Sequence, residues 1–378
     1  VREGETEVNK KLIFSVVTIV LTWILLAAPA AADDTEVTLK GNVHFLDKQD
    51  LSLAQKMEMA AQEFNKAEEG DVYFTGYAFL SRHVINHGNY DDESMPYVVS
   101  VDEGKIKRRR TYRKNEGKTT LEKDGNEIVG LLVLHSVSGG QTHIADVELI
   151  DLDDSYDFDD IPLYWFGEVD NEESFQYLTD VFQSGDERIR KDTLFVISSH
   201  VHPKVYDFLY DVALGSYELK IREKAIFWLG TYKDDRSLKD LKDIYQKVDE
   251  PKLKKQVVFG FQLSDKTEAV KELVRVAKKE KDQKIRKDAI FWLGQKASEE
   301  SIKALKDVVN DADEDTRVKE SAVFAISQLP SEKSVPMLID IAKTNKNPKV
   351  KKQAMFWLGQ KDDDAALKFF EEILLKKK

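Results

Sequence analysis

The sequence predicts a mainly α protein: a C-terminal α-solenoid of about six to seven helical hairpins, preceded by a small α+β domain. Three observations carry this. A phenylalanine recurs at Phe195, Phe227, Phe259, Phe291, Phe324 and Phe356, at spacings of 32, 32, 32, 33 and 32 residues, and a fixed period of that length marks a repeat architecture. An aliphatic residue stands six positions before each ring, at Ile189, Ile221, Leu253, Ile285, Val318 and Val350. Between Asp33 and Asp160 the period is absent, and short runs rich in β-branched and aromatic residues take its place.

In chain order, Lys10 and Lys11 precede an apolar run from Leu12 to Leu26, then an Ala-rich stretch from Ala27 to Ala32. That is the layout of a secretory signal over residues 1–32, and the run of about 15 residues is short for a membrane span of ~20. Glu3, Glu5 and Glu7 offset the basic charge ahead of it. Residues 33–160 form the α+β domain. Leu53, Met57, Ala60, Ala61 and Phe64 recur at helical spacing in a helix over 51–67. Residues 72–80, 97–101, 128–134 and 143–152 read as strands, the last two joined by a hairpin at Ser138, Gly139 and Gly140. The expectation is one small, largely antiparallel sheet with one helix, covering the first repeat of the array.

The array itself is expected over residues 161–378. Ile221, Ala225, Trp228 and Leu229 fall at i, i+4, i+7 and i+8, one apolar helix face. A second amphipathic segment follows each such helix, around 237–244, 269–276, 301–308, 335–341 and 365–373, with Asp235, Ser264, Ser298 and Ser331 as candidate N-caps. A lone hairpin of 32 residues cannot bury its apolar stripe, whereas a stack can.

The text around the rings, Asp315 to Ala322 and Lys284 to Gly294, resembles HEAT repeats, the closest type being the short repeat of phycobilin-lyase-like proteins. The resemblance covers the last 215 or so residues, with Tyr164-Trp-Phe-Gly167 as a degenerate first copy. It implies an α-solenoid and, most commonly in such arrays, a protein-binding scaffold. Gly260 stands where Trp228 does, and Ala325 replaces Trp292, so those two units are expected to pack more loosely. HEAT-type hydroxylases carry His-Glu pairs on several helices, a pattern missing here. The lyase branch leaves open a chromophore- or ligand-handling accessory role, and a purely structural spacer is a further alternative.

The chain has no cysteine, which removes disulfides, thiol catalysis, thiolate metal sites and a lipid-modified cysteine. With the leader, this predicts a periplasmic or secreted bacterial protein with no stable membrane insertion once the signal is cleaved. Charge is divided: residues 189–378 hold 39 Lys and Arg against 32 Asp and Glu, while the whole chain has a net charge of −12. A field of one sign steers ligands of the other.

Several clusters invite chemistry. The acidic stretch from Asp151 to Asp160 has the oxygens a Ca²⁺ ion wants but lacks the EF-hand pattern, since Tyr156 takes the glycine position and Pro162 the last one; it reads as a solvated connector first and a weak calcium site second. His83 with His87, and His200 with His202, have spacings that zinc sites use, without the partner Glu that would support them. The basic run from Lys105 to Lys114 suggests phosphate binding, but a strand would split it between two faces, and a solvated hairpin or a contact to the acidic stretch is the simpler reading. Nucleic acid is not expected as a partner, and neither a catalytic constellation nor a cofactor or metal site is recognisable.

Two basic rows run through the repeats. Arg188, Lys220, Lys252, Lys284, Arg317 and Lys349 precede the aliphatic position, and Arg190, Arg222, Lys254, Arg286, Lys319 and Lys351 follow it. Cations at a helix N-terminus oppose the macrodipole, so local helix stability does not explain them. In HEAT folds the second row commonly bonds an acid of a neighbouring unit; the alternative is a basic concave face that recruits an acidic partner. Phe227 lies far around the helix from the apolar face, so the rings either pack laterally between successive helices or form a stripe where a peptide docks. The expected function is a non-enzymatic, protein-binding scaffold of the cell envelope, its binding residues the six Phe rings and the second basic row.

Overall fold

The computed structural model describes residues 38–48, 50–67, 70–82, 97–102, 104–109 and 126–375. The leader, His83 and His87, and the basic run beyond Arg109 lie outside the described residues.

The N-terminal domain contains two sheets, not one. β1 (Thr38–Lys40), β8 (Ser155–Asp157), β4 (Tyr97–Asp102) and β5 (Lys105–Arg109) line up as one sheet, in the order β1-β8-β4-β5. β2 (Val43–Phe45), β9 (Leu163–Glu168), β3 (Val72–Ser81), β6 (Glu127–Ser138) and β7 (Gln141–Ile150) make the other, in the order β2-β9-β3-β6-β7. The β6–β7 pair is antiparallel, as its hairpin signal predicts, and Gly139 and Gly140 supply the positive φ that its turn needs; β4–β5 and β3–β6 are antiparallel as well. The β1–β8, β8–β4, β2–β9 and β9–β3 pairs are parallel, joining segments far apart in sequence.

Strand periodicity sorts the side chains of β3 to two cores. Phe74 and Ala78 face the opposing sheet with Leu132, Leu134, Tyr156, Phe158 and Trp165. Tyr73, Tyr77 and Phe79 face the helices, beside α1 (Leu53–Ala67). Gly76 is required where it stands, because a Cβ there would come within 2.9 Å of the Trp165 ring. Two expectations are corrected here. Tyr164-Trp-Phe-Gly167 is no degenerate repeat but β9, in the interior of the five-stranded sheet. Nor is the acidic stretch a solvated connector: Tyr156 and Phe158 alternate into the core, leaving the aspartates between them.

Thirteen helices follow among the described residues, in two rows. One row holds α2 (Asn171–Ser184), α4 (Lys204–Leu214), α6 (Asp235–Lys247), α8 (Thr267–Lys279), α10 (Glu299–Asn310), α12 (Ser331–Thr344) and α14 (Asp364–Leu375). The other, carrying the phenylalanines, holds α3 (Glu187–Ser199), α5 (Leu219–Thr231), α7 (Pro251–Leu263), α9 (Gln283–Lys296), α11 (Thr316–Ser327) and α13 (Pro348–Leu358). The aliphatic positions are buried in every copy, and one continuous core runs from α1 and the five-stranded sheet to Phe369 in α14. This is an α-solenoid whose first hairpin is covered by a β-sandwich. Ser298 caps α10 as expected, but Asp234 rather than Asp235 caps α6, Ser264 ends α7, and Ser331 lies inside α12.

Neighbouring helices approach more closely in the phenylalanine row than in the other, so the array bends toward that row, which is its inner side. The approach alternates. At Gly230 a Cβ would stand 2.9 Å from the Cα of Gly260, and at Gly294 one would stand 3.0 Å from the Cβ of Ala325. The α5–α7 and α9–α11 crossings are therefore backbone-to-backbone. The units bearing Gly260 and Ala325 pack more tightly on that side, not more loosely as their missing indoles suggested, because a small residue admits the neighbouring helix.

Candidate partner-binding face

Along an inner helix, residues at i, i+3, i+4 and i+7 share a face. Counting from Lys220, that face holds Glu223, Lys224 and Phe227. Over the six inner helices its first three positions amount to eighteen residues, of which eleven are Lys or Arg and four Asp or Glu. Beside α3 and α5 the face forms a groove of about 760 Å³, lined by Arg188, Lys191, Lys220, Lys224, Phe227 and Trp228 among others. On α3, burial, with the Asp146 carboxylate adding to it, raises Asp192 from its ordinary value.

The first basic row lies on this open face. Lys220, Lys252, Lys284, Arg317 and Lys349 are exposed, and none of them makes an ion pair among the described residues. Arg188 alone is engaged. Its guanidinium meets Asp146 at 3.1 Å and the Ala145 carbonyl, while the other Asp146 oxygen accepts from the Ile106 amide at 2.8 Å, tying α3 to β7 and β5.

The second basic row is placed between repeats instead of on the open face. Arg190 donates to the Phe182 carbonyl at 3.2 Å and pairs with Glu218 at 3.3 Å; Arg222 donates to the Ala213 carbonyl at 2.9 Å and pairs with Glu250 at 2.6 Å. Arg286 reaches the Glu280 carbonyl at 2.7 Å and Glu314 at 2.9 Å, Lys254 lies 3.6 Å from Glu280, and Lys351 donates to the Lys343 carbonyl at 3.3 Å. Lys319 is buried. Each cation that bonds a carbonyl thus serves orphan C=O groups at the C-terminal end of the preceding outer helix. The macrodipole that matters is the neighbour's.

The six rings pack laterally between successive helices, the first of the two readings of their angular position. Trp228 lies 5.1 Å from Phe195 and 4.9 Å from Phe227; Trp292 lies 5.4 Å from Phe259 and 4.8 Å from Phe291; Trp357 lies 5.1 Å from Phe324 and 4.9 Å from Phe356. Each indole thus bridges the ring of its own unit and that of the preceding one, so the rings group into three triads. Phe227 and Phe259, stacked at 6.1 Å, join the first two. Phe195, Phe291 and Phe356 remain exposed, at 37%, 37% and 54%.

The other candidates take up structural positions. His200 is buried at the joint between sandwich and array, stacked on Phe79 at 4.1 Å. Its Nδ1 faces the Val196 carbonyl at 2.9 Å, which can only accept, so Nδ1 carries the proton and Nε2 accepts from Ser174 at 2.7 Å. Burial depresses it to about 4. His202 bonds Glu172 instead, and Lys204 first and His202 second hold that carboxylate below its usual range. Among the described residues, no group of three or more carboxylate or imidazole side chains converges as a metal site would.

Residues 270–358, reaching from α8 to α13, match a family model described as HEAT repeats. Helices α8 to α13 are HEAT repeats. The chain is similar to human deoxyhypusine hydroxylase in complex with glycerol, at 15% identity over 53% of this chain and 90% of that one, with a TM-score of 0.27. It is also similar to the complex of CpcE and CpcF of phycocyanin lyase from Nostoc sp. PCC7120, at 12% identity over 52% of this chain and 92% of that one, with a TM-score of 0.32. At such scores neither likeness bears on activity. No curated protein matches the chain.

Proposed function

We propose that this protein is a non-enzymatic scaffold of the cell envelope that binds an acidic protein partner on the inner face of its HEAT array. One observation carries the reading. Several outer-row charges pair between repeats, as in Arg236–Asp207, Lys242–Glu272 and Lys278–Asp307, and on the inner row Lys255 pairs with Asp288, whereas Lys220, Lys252, Lys284, Arg317 and Lys349 are exposed with no ion pair among the described residues, beside half-exposed rings. Clustered unpaired cations repel one another, and an anionic partner relieves that repulsion. Exposed rings at Phe195, Phe291 and Phe356 favour a binding surface over a plain spacer. The export-type pattern of residues 1–32 supports an encounter in the bacterial envelope.

The test uses Lys220→Glu, Lys252→Glu and Lys284→Glu together, in affinity capture from the native envelope. The partner is expected to be lost while the melting temperature is retained. Undiminished recovery from a folded triple variant would remove the inner face from consideration.

A further inference from the structure

Resting on the reading just given, we infer that the inner face is built for an extended acidic segment whose apolar anchors recur at every second repeat, not for the surface of a folded domain. The array is periodic at two levels. Its cations repeat once per unit, at Lys220, Lys252, Lys284, Arg317 and Lys349, but its aromatic sockets repeat once per two units, because Trp228, Trp292 and Trp357 alternate with Val196, Gly260 and Ala325. The structure makes this alternation physical: the two glycine- and alanine-lined crossings are backbone-to-backbone, and the indoles stand at the others.

These two periods translate into a ligand. Packed helices lie ~8–10 Å apart, and an extended chain advances ~3.3 Å per residue. One cation per unit therefore meets one carboxylate every two to three residues, and one triad per two units meets an apolar side chain about every five to six. Three triads ask for three anchors. A segment of roughly 15 residues, running across the inner helices, satisfies both rows at once. A folded domain presents its charges on a curved surface with no such double period, and a membrane or a nucleic acid matches the cations but not the rings.

The experiment uses the full chain and four probes, read by tryptophan fluorescence, since three of the five indoles stand in the triads. The first peptide spaces three Phe six residues apart, with a Glu at every third position between them. The second has the same composition with its Phe residues contiguous and its Glu residues in a block. In the third, Lys replaces Glu, and the fourth probe is a duplex DNA oligonucleotide of equal charge. The spaced acidic peptide should bind at least tenfold more tightly than its block isomer and than the DNA, show no competition from the Lys peptide, and lose tenfold or more in the Lys220→Glu, Lys252→Glu, Lys284→Glu variant. Equal binding of the two isomers, or tighter binding of the DNA, overturns the inference.

A photo-crosslinking residue in place of Lys252 separates this from the broader reading. Adducts confined to one continuous segment of the captured partner support the inference. Adducts scattered over a folded domain overturn it and leave the scaffold intact. With no peptide binding and no adduct at all, both fall.

Discussion

The β-sandwich and the HEAT array are stabilised by opposite means, and the contrast shows where each is vulnerable. In the sandwich, parallel pairs such as β2–β9 and β1–β8 bring together segments more than a hundred residues apart, and polar groups are sealed inside: His135 sits against Thr75 at 2.8 Å, and Tyr77 bonds Ser174, which bonds His200. In the array each unit leans only on its neighbours, and charges link one repeat to the next, as in Arg222–Glu250 and Arg286–Glu314. Acid should therefore strike the sandwich and its joint, and crowding or charge loss at the crossings should strike the array.

The largest expected effect comes from acid. His135 and His200 have folded values of about 3 and about 4 against 6.5 in the unfolded chain. Unfolding takes up protons wherever the pH lies between the two values, so the stability of the neutral imidazoles is fully present above 6.5 and is lost as the pH falls toward 4 and then 3. At ~1.4 kcal/mol per unit the loss is on the order of 5 kcal/mol by pH 4, and hydrogen exchange should report it in β3, β6 and α3 before it reaches α9 to α13. Simultaneous loss of protection throughout would break the contrast.

Next is Gly260→Leu, which forces a side chain into the backbone contact with Gly230; overpacking of this kind costs about 3 kcal/mol, and the melting temperature should fall accordingly. Trp292→Leu, at an indole-bearing crossing, should cost clearly less, and a reversed order would undo the alternation. Smaller again is Arg222→Met, which leaves the Ala213 carbonyl and Glu250 without their shared cation, a loss of about 2 kcal/mol. Smallest is Lys252→Ser. With no ion pair to lose, it should stay within about 0.5 kcal/mol by denaturant titration.

Much of the array was legible in the sequence because helical repeats are local: the 32-residue period and the buried aliphatic column lie within single units. The two-unit period was also written there, as Trp228, Gly260, Trp292, Ala325 and Trp357, yet it read as decay of a motif, since only the neighbouring helix shows that a glycine is where two backbones meet. For the second basic row the pairing with an acid of the neighbouring unit was anticipated and is seen at Arg190, Arg222 and Arg286, but the bonds to helix-end carbonyls were not. Its role depends on where the preceding helix ends, and Arg222 looks misplaced until the Ala213 carbonyl is beside it. In the sandwich four strands and the β6–β7 hairpin were found, whereas the short strands β1, β2 and β8, the strand β9 and their parallel pairings were not, because parallel partners share no turn between them. Tyr164-Trp-Phe-Gly167 imitated a repeat while filling the interior of a sheet.

The division of labour between the two basic rows is tested most directly by parallel triple substitutions, Arg190→Gln, Arg222→Gln and Arg286→Gln in one protein and Lys220→Gln, Lys252→Gln and Lys284→Gln in another. For each, melting temperature and affinity for the spaced acidic peptide are measured side by side. The first protein should melt several degrees lower with its residual folded fraction still binding, and the second should melt unchanged with binding reduced tenfold or more. Loss of binding in the first without loss of stability, or loss of stability in the second, would contradict the assignment.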